Sequence, residues 1–450
     1  MGGARERFLA MSVERSTATL ETVTEDFGHV LRGSPAGVLR PRSAQDVVDA
    51  VMQAVASGSK LTLRGVGHSA GGQALPADSV VVDFSEMRGV GPVDRERGTI
   101  RCQAGARLRD VVGAALAHGL LPRSLTNLLD LTVGGLLSVG GAGPGSHRHG
   151  LLVANVAALE VVTGDGSRQS CSRTKNRDLY DAVLSGLGRC GAIVAAELEL
   201  RRIGSHVRTY YLLYDNLRRW MEDQRALARN DRVSAMEGFC SPSLQGLRGA
   251  GGKRAAFAEW FFPLQVSFEY DDAAPELPDR LSPYRVVHVE DDEIAYFPAR
   301  HDLRFEMVRR LGAWERPHPY VTAFIGADAL VDVLPAVLEA LPLGEGHRGT
   351  FFVATDGVPP LMAMPEAEDV VWFSVMYPQI LPQFLDDTLA AFRHAGELLT
   401  EAGGKRYVAD WLGEMGDDAW RRHFGSRYGR WVRAKERFDQ HGIFRSQLLP

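Results

Sequence analysis

The chain has 450 residues, of which 45% are hydrophobic and 24% are charged, and its formal net charge is −5. This length allows two domains, and the composition is ordinary for a globular protein. Because the charge signs are mixed and no run of about eighteen apolar residues occurs, we expect neither a nucleic-acid partner nor a transmembrane helix.

The predicted elements begin after a polar segment, residues 1–28, that lacks the apolar core of a signal peptide. Ser43 is a suitable N-cap for a helix over 41–58, because apolar residues recur there at helical spacing and Gly58 ends the pattern. Further predicted elements of this half are strands at 61–65, 79–84, 99–105 and 192–200, helices at 107–118 and 178–184, and a hairpin at 156–171.

Residues 120–150 form a long stretch without a predicted element, and its second half is rich in glycine. Loops of this length are uncommon inside compact domains unless they have a function. We therefore predict a long loop that a bound ligand orders.

The pattern changes beyond about residue 206. Long apolar strands at 256–270 and 370–378 alternate there with helices at 329–341 and 384–403. This alternation predicts an α+β domain with an antiparallel sheet. The last stretch, 419–438, predicts one amphipathic basic helix that docks on the body of the protein.

The glycine-rich turn RGVGHS, residues 64–69, carries the clearest chemical signal. Its spacing imitates a dinucleotide-binding glycine motif, which requires a helix immediately afterwards. The residues that follow contain a proline and two glycines and have no helical periodicity. We therefore predict a turn whose N–H groups point at a pyrophosphate, without the helix.

Five sequence motifs, in this order along the chain, resemble those of cytokinin dehydrogenases. They are RGVGHSAGGQA, PRSLTNLLDLTVGGLLSVGG, RHGLLVANVAALEVVTGDG, CSRTKNRDLYDAVLSGLGRCG and HFGSRYGRWVRAKERFD. The resemblance runs from about residue 26 to the C-terminus and thins between about 205 and 310.

The resemblance implies a fold similar to that of vanillyl-alcohol oxidase and p-cresol methylhydroxylase. The expected fold class is α+β, a two-domain flavoprotein with a PCMH-type FAD-binding domain and an antiparallel-sheet substrate cap domain. The implied boundaries are 1–205 for the FAD-binding domain, 206–400 for the cap domain, and 401–450 for a C-terminal segment that returns to the FAD domain.

The resemblance also implies the cofactor and its contacts. FAD would be held by a single covalent link through His68. The cysteine that forms a second link in berberine-bridge-type oxidases has no counterpart here, because no cysteine lies between Cys102 and Cys171. The other implied FAD contacts are Gly65, Val66, Gly67, Ser69, Gln73, Thr132, Ser138, Ala142, Ala192, Tyr407 and Gln447.

The remaining candidate groups predict neither a metal site nor a disulfide framework. The four cysteines are scattered without a CxxC pair, which is typical of a reducing compartment and indicates a cytoplasmic protein. His147 and His149 lie two residues apart but have no nearby cysteine or carboxylate partner, so we expect no metal.

Asn127 is the departure from the family pattern that bears on catalysis. Cytokinin dehydrogenases carry at this position an Asp that accepts the proton of the substrate amine. Asn can orient an N–H or O–H group but cannot act as a general base. Either the substrate arrives deprotonated, or another group such as Asp130 in the same loop supplies the base; Asp130 is equally well explained as a solvated loop carboxylate.

We therefore expect an FAD-dependent oxidase or dehydrogenase that abstracts hydride from the C–N bond of a small-molecule amine. Dioxygen or another acceptor would reoxidise the flavin. Because of Asn127, we expect poor turnover of cytokinins and tolerance of a more acidic or anionic substrate. An alcohol or specialised-metabolite oxidase and a non-catalytic flavin-binding protein remain as alternatives.

Overall fold

The computed structural model describes residues 13–250, 253–344 and 346–448. Residues 1–12 lie outside these ranges, and they belong to the segment 1–28 in which we predict no signal peptide. Within the ranges, eighteen strands form three sheets, and no helix is long and apolar enough to cross a membrane.

The first sheet is parallel and leads into the glycine-rich turn. Its described strands are ordered β1-β3-β2. The elements are α1 (Thr17–Glu21), β1 (Ser34–Leu39), α2 (Ala44–Ser57), β2 (Leu61–Arg64) and β3 (Ala77–Asp83). Helix α2 confirms the predicted boundaries, because Ser43 and Asp46 form a reciprocal capping box and Gly58 ends the helix with a φ of 71°.

The second sheet is antiparallel and is ordered β4-β5-β9-β7-β8 in the described chain, with β6 also paired to β9. Its strands are β4 (Val90–Asp94), β5 (Thr99–Gln103), β6 (Leu120–Pro122), β7 (Val156–Val162), β8 (Arg168–Ser172) and β9 (Ala192–Arg202). The helices between them are α3 (Leu108–Leu116), α4 (Val133–Val139), α5 (Ser146–His149) and α6 (Arg177–Val183). The strands and helices predicted in this half are confirmed.

The prediction of a long loop over 120–150 is wrong, because this stretch contains β6, α4 and α5. Helix α4 buries Val133, Leu136 and Leu137, which recur at helical spacing. Its glycines serve close packing: a Cβ on Gly134 would lie 2.8 Å from the Cβ of Ala104. Glycine here lets the helix approach the end of β5 and does not loosen the backbone.

The third sheet is antiparallel and is ordered β14-β10-β13-β11-β16-β17-β15-β18 among the described residues, with β12 paired to β13. Its strands are β10 (His206–Tyr214), β11 (Ala235–Phe239), β12 (Ser241–Ala250), β13 (Lys253–Tyr270), β14 (Arg285–Glu293), β15 (Tyr320–Gly326), β16 (His347–Val353), β17 (Val370–Met376) and β18 (Lys405–Arg406). The helices of this half are α7 (Leu217–Ala228), α8 (Asp302–Arg310), α9 (Ala327–Ala340) and α10 (Leu385–Glu401). The antiparallel sheet predicted for this half is confirmed.

Two hydrophobic cores hold these sheets. The larger core fills the first two sheets around residues such as Ile100 and Val161. The second core packs the third sheet against its helices around Trp220 and Phe373. Leu136 of the first core and Tyr377 of the second line the same cavity, so this cavity lies where the two cores meet.

The single helix predicted over 419–438 is in fact two, α11 (Asp417–Phe424) and α12 (Tyr428–Phe438). The chain breaks at Gly425, which has a φ of 53° and a ψ of −128°. Helix α12 docks on the first half: Lys435 Nζ donates to the Arg189 carbonyl at 3.2 Å, and Arg437 pairs with Asp178 at 2.6 Å.

Candidate functional site

A cavity of about 520 Å³ is lined by the turn at 64–69, by α4, by α8 and by the inner strands of the third sheet. Its size is that of a pocket for a substantial organic ligand. The predicted site residues on its wall are Gly65, Val66, Gly67, His68, Ser69, Gln73, Asn127, Thr132, Ser138, Ala142 and Tyr407.

The glycine-rich turn presents its backbone to this cavity. No helix follows the turn, as predicted. Among the described residues, no protein group accepts a hydrogen bond from the N–H groups of 66–69. Gly67 has a φ of +72°, and a Cβ there would lie 2.3 Å from the Arg64 guanidinium. A run of unpaired N–H groups on a cavity wall fits the oxygens of a pyrophosphate, as FAD would supply.

His68 is held by aromatic packing. Its ring centroid lies 3.6 Å from that of Phe27 and 6.0 Å from that of Trp314. Burial lowers the pKa of His68 to about 3, with smaller contributions from His318 and Arg309. The imidazole is therefore neutral, and no hydrogen bond occupies its nitrogens within the described residues. A neutral imidazole with a free nitrogen is the form that can bond to carbon.

Cysteine side chains are remote from the cavity. The four cysteines, Cys102, Cys171, Cys190 and Cys240, are buried and free, and none lines the cavity within the described chain. Burial also raises the pKa of each thiol, for example to about 12 for Cys102. These positions offer no second attachment point for a flavin.

Side chains near the turn hold it against the C-terminal segment. The Gln73 amide accepts from the Gly71 N–H at 2.9 Å and donates to the carbonyls of Val408 and Asp410. The hydroxyl of Tyr407 accepts from the Gly141 N–H at 3.2 Å. Gln73 and Tyr407 thus fix the loops that form the cavity wall.

Three predicted site residues do not lie on the wall: Ala192, Gln447 and Asp130. Ala192 pairs with Val162 inside the sheet, and because side chains alternate along a strand, Ile193 faces the cavity instead. The Gln447 N–H donates to the Leu75 carbonyl at 2.9 Å, which anchors the chain end beside the turn and outside the cavity.

Asp130 is engaged in ion pairs. Its carboxylate lies 2.8 Å from Arg109 and 3.1 Å from Arg309, and Arg109 also pairs with Asp302 at 2.7 Å. Hydrogen bonding to Arg109 lowers the pKa of Asp130, and Arg309 adds to this effect. Because Arg309 and Asp302 belong to α8, the contacts tie that helix to the loop of the first half. They do not favour Asp130 as a general base.

Asn127 contacts a carboxylate that the sequence did not reveal. Its Nδ2 donates to Oε2 of Glu237 at 3.1 Å. Since a carboxylate only accepts hydrogen bonds, this contact fixes the amide orientation. The Oδ1 atom of Asn127 is buried without a partner in the described structure. Asn127 also lines the cavity, so this oxygen without a protein partner belongs to a residue of the cavity wall.

Glu237 is a buried anion. Its carboxylate accepts from Arg300 and, at 3.0 Å, from Nε2 of His301. Burial alone would raise the pKa of Glu237, but Arg300 and His301 outweigh burial and hold it well below its usual range. Glu237 is thus ionised at neutral pH. A lone glutamate in the apolar strand segment Ala235–Phe239 was the signal that could have identified it.

Comparison with known proteins supports an FAD-binding oxidoreductase. Residues 35–172 match the family model described as an FAD binding domain. The chain is 32% identical over 437 residues to the "Uncharacterized oxidoreductase ORF5 in fasciation locus" of Rhodococcoides fascians, covering 94% of this chain and 95% of that protein. It is 30% identical to cytokinin dehydrogenase 1 of Oryza sativa subsp. japonica, over 92% of this chain and 86% of that protein. Identity to cytokinin dehydrogenase 2 of Arabidopsis thaliana is 27%, over 96% and 92%.

Proposed function

The chain belongs to the cytokinin dehydrogenase-like FAD oxidoreductases, and from this membership we propose that it oxidises a C–N bond of a small-molecule amine. The observation that carries the proposal is the amide of Asn127 on the cavity wall, which Glu237 holds through Nδ2 while Oδ1 has no protein partner in the described structure.

The cofactor would lie along the turn at 64–69. The free N–H groups of 66–69 suit its pyrophosphate, and the neutral ring of His68 suits a single covalent link. FAD, when bound, supplies the two-electron acceptor that takes hydride from the substrate carbon. We propose this covalent link because His68 is buried and neutral and because no cysteine lines the described cavity wall.

Asn127 and Glu237 would act on the substrate nitrogen. As hydride leaves the neighbouring carbon, a neutral amine becomes a positively charged iminium, and its N–H becomes a stronger donor. Oδ1 of Asn127 accepts this hydrogen bond, and the negative charge of Glu237 polarises the amide from the other side. No base is required in this step, because the iminium keeps its proton until water removes it afterwards.

One observation favours a second candidate, the oxidation of an alcohol. An alcohol must lose its O–H proton as hydride leaves, so it needs a base. Asp410 lies on the cavity wall with an unpartnered Oδ2. Burial raises the pKa of Asp410 to about 7, although Thr322 and Arg406 oppose this effect. Amine oxidation is preferred because Asn127, the residue at the family's substrate position, offers an acceptor and no base.

The test is the bleaching of the bound flavin without oxygen. Purified protein is mixed anaerobically with a panel of secondary amines and the matched alcohols. Amine oxidation predicts bleaching by amines that survives Asp410→Asn, whereas alcohol oxidation predicts bleaching by alcohols that Asp410→Asn abolishes. A flavin that no amine bleaches would refute the proposed function.

A further inference from the structure

Helix α8 forms one wall of the cavity. None of its residues is buried in the protein. Arg304, Phe305 and Val308 nevertheless line the cavity, so one face of this helix borders the space that the substrate would fill. The guanidinium of Arg304 is the cation that this face offers.

The arginines of α8 differ in their partners. Arg309 pairs with Asp130, and Arg310 pairs with Glu306. Arg304 has no carboxylate within 4.0 Å among the described residues, and its described side-chain hydrogen bond is to Nδ1 of His347 at 3.0 Å. A guanidinium has five N–H donors, so most of the donor capacity of Arg304 is unused.

His347 adds a donor to the same place. Because Arg304 can only donate, Nδ1 of His347 must be the unprotonated nitrogen, and its proton sits on Nε2. Burial and, to a smaller extent, the charge of Arg304 lower the pKa of His347 to about 3, so the ring stays neutral. Arg304 and His347 both line the cavity and together present donors without a neighbouring acceptor.

Arg304 and His347 lie next to the proposed amine site. His301, one helical turn before Arg304, bonds to Glu237, and Glu237 bonds to Asn127. Glu237 is already compensated by Arg300 and His301. Arg304 has no ion-pair partner within 4.0 Å in the described structure, although the charge of Glu237 acts on it from a greater distance.

We propose that Arg304 and His347 bind an anionic group of the substrate, a carboxylate or a phosphate, while Asn127 accepts its N–H. The guanidinium fork matches the paired oxygens of such groups. The neutral amide at position 127 does not repel the anion, as a second carboxylate would. This inference rests on the proposed amine oxidation and names the class of amine.

The experiment measures ligand binding to the flavin-loaded protein without turnover. Benzoate, phenyl phosphate and the neutral isostere benzamide are titrated while the visible spectrum of the flavin and the tryptophan fluorescence, to which Trp314 and Trp372 on the cavity wall contribute, are followed. The variants are Arg304→Gln, Arg304→Lys and, as a matched control on the outer side of the same helix, Arg310→Gln.

The expected result is anion binding that depends on Arg304. Wild-type protein should bind benzoate or phenyl phosphate more tightly than benzamide, and Arg304→Gln should weaken the anion about ten- to a hundredfold while leaving benzamide unchanged. Arg304→Lys should lose less affinity for the anion, and Arg310→Gln should bind it as tightly as wild type does. The anion that binds more tightly, benzoate or phenyl phosphate, identifies the substrate group as a carboxylate or a phosphate.

Two results would overturn the inference. The first is that wild-type protein binds benzoate, phenyl phosphate and benzamide with equal affinity. This measurement does not depend on the folding of any variant. Equal weakening of anionic and neutral ligands by Arg304→Gln is the other. If neutral amines still bleach the flavin in either case, the proposed function stands and the anion site alone is refuted.

Discussion

Asn127 and Glu237 lie 110 residues apart in the sequence and meet through a hydrogen bond of 3.1 Å from Nδ2 to Oε2. The contact joins the loop of the first half to strand β11 of the third sheet. It gives the uncharged side chain of Asn127 a defined orientation and an ionised partner.

Asn127→Asp should convert the site toward base catalysis. The introduced carboxylate would face ionised Glu237, and repulsion together with burial should raise its pKa, which makes it a better base. We expect any trace rate of flavin reduction by isopentenyladenine to rise by at least tenfold, since a general base typically contributes about 10²–10⁴-fold. Stopped-flow measurements across a pH series give this rate of flavin reduction.

The control for this prediction is Asn127→Leu, which removes both the acceptor and the base. It should lower the rate with every amine. If Asn127→Asp and Asn127→Leu reduce all rates equally, position 127 serves packing alone and the role given to Asn127 is wrong.

His68→Ala should release the flavin. Acid precipitation of the native protein should leave the yellow cofactor in the pellet, because a covalent bond survives unfolding. The variant should lose its flavin to the supernatant, whereas His394→Ala, on the exposed face of α10, should behave as wild type. Recovery of free flavin from the native protein would contradict a link through His68.

Asp130→Asn distinguishes an anchor from a base. Its ion pairs with Arg109 and Arg309 are partly exposed, so their loss should loosen α8 with only a modest cost in stability. We expect a raised KM, an unchanged kcat and an unchanged pH profile, and the same result for Arg309→Gln. A fall in kcat of about 10²–10⁴-fold confined to Asp130→Asn would instead identify a general base.

Asp26 should make the stability of the protein depend on pH. This buried carboxylate accepts from the N–H groups of Val30 and Leu31 through Oδ1, and its Oδ2 has no partner in the described structure. Burial raises its pKa from 3.8 to about 6, which outweighs these hydrogen bonds. Because the folded protein holds the Asp26 proton more tightly than the unfolded chain, protonated Asp26 contributes to the free energy of unfolding. This contribution is fully present below about pH 4 and is lost as the pH rises through about 6.

Asp26→Asn keeps the acceptor and cannot ionise. The variant should match wild type at about pH 4 and exceed its free energy of unfolding by about 2–3 kcal/mol at about pH 7. Denaturant unfolding at both pH values measures the difference, with Glu21→Gln as an exposed control. A difference that does not grow between the two pH values would show that Asp26 is not protonated in the folded protein.

The local motifs were predictable from sequence because their signals are local. The capping box at Ser43 and the turn at 64–69 each lie within a few residues, and proline and glycine after the turn exclude a helix. Helix α4 was not predicted because its glycines are typical of a loop. In the structure, Gly134 is needed because a Cβ there would collide with Ala104. The single helix predicted over 419–438 was wrong because the chain breaks at Gly425.

The polar cluster around Asn127 could not be predicted because it is assembled from distant segments. Glu237, His301 and Arg304 lie where resemblance to the family is thinnest, and the sequence does not show that they come together. Only the folded chain shows that Glu237 is buried and that Arg304 faces the cavity without a carboxylate. The fold thus follows from local patterns, and the substrate site follows from tertiary contacts.

The rate of anaerobic flavin reduction by one primary amine and its oxygen analogue, the matching alcohol, separates amine oxidation from alcohol oxidation in a single comparison. Both compounds should carry the same carboxylate or phosphate, so that the two differ only at the oxidised bond. We expect fast loss of the visible flavin absorbance with the amine, little loss with the oxygen analogue, and no dependence of either rate on Asp410. Fast reduction by the oxygen analogue, or a flavin that neither compound reduces, would contradict this expectation.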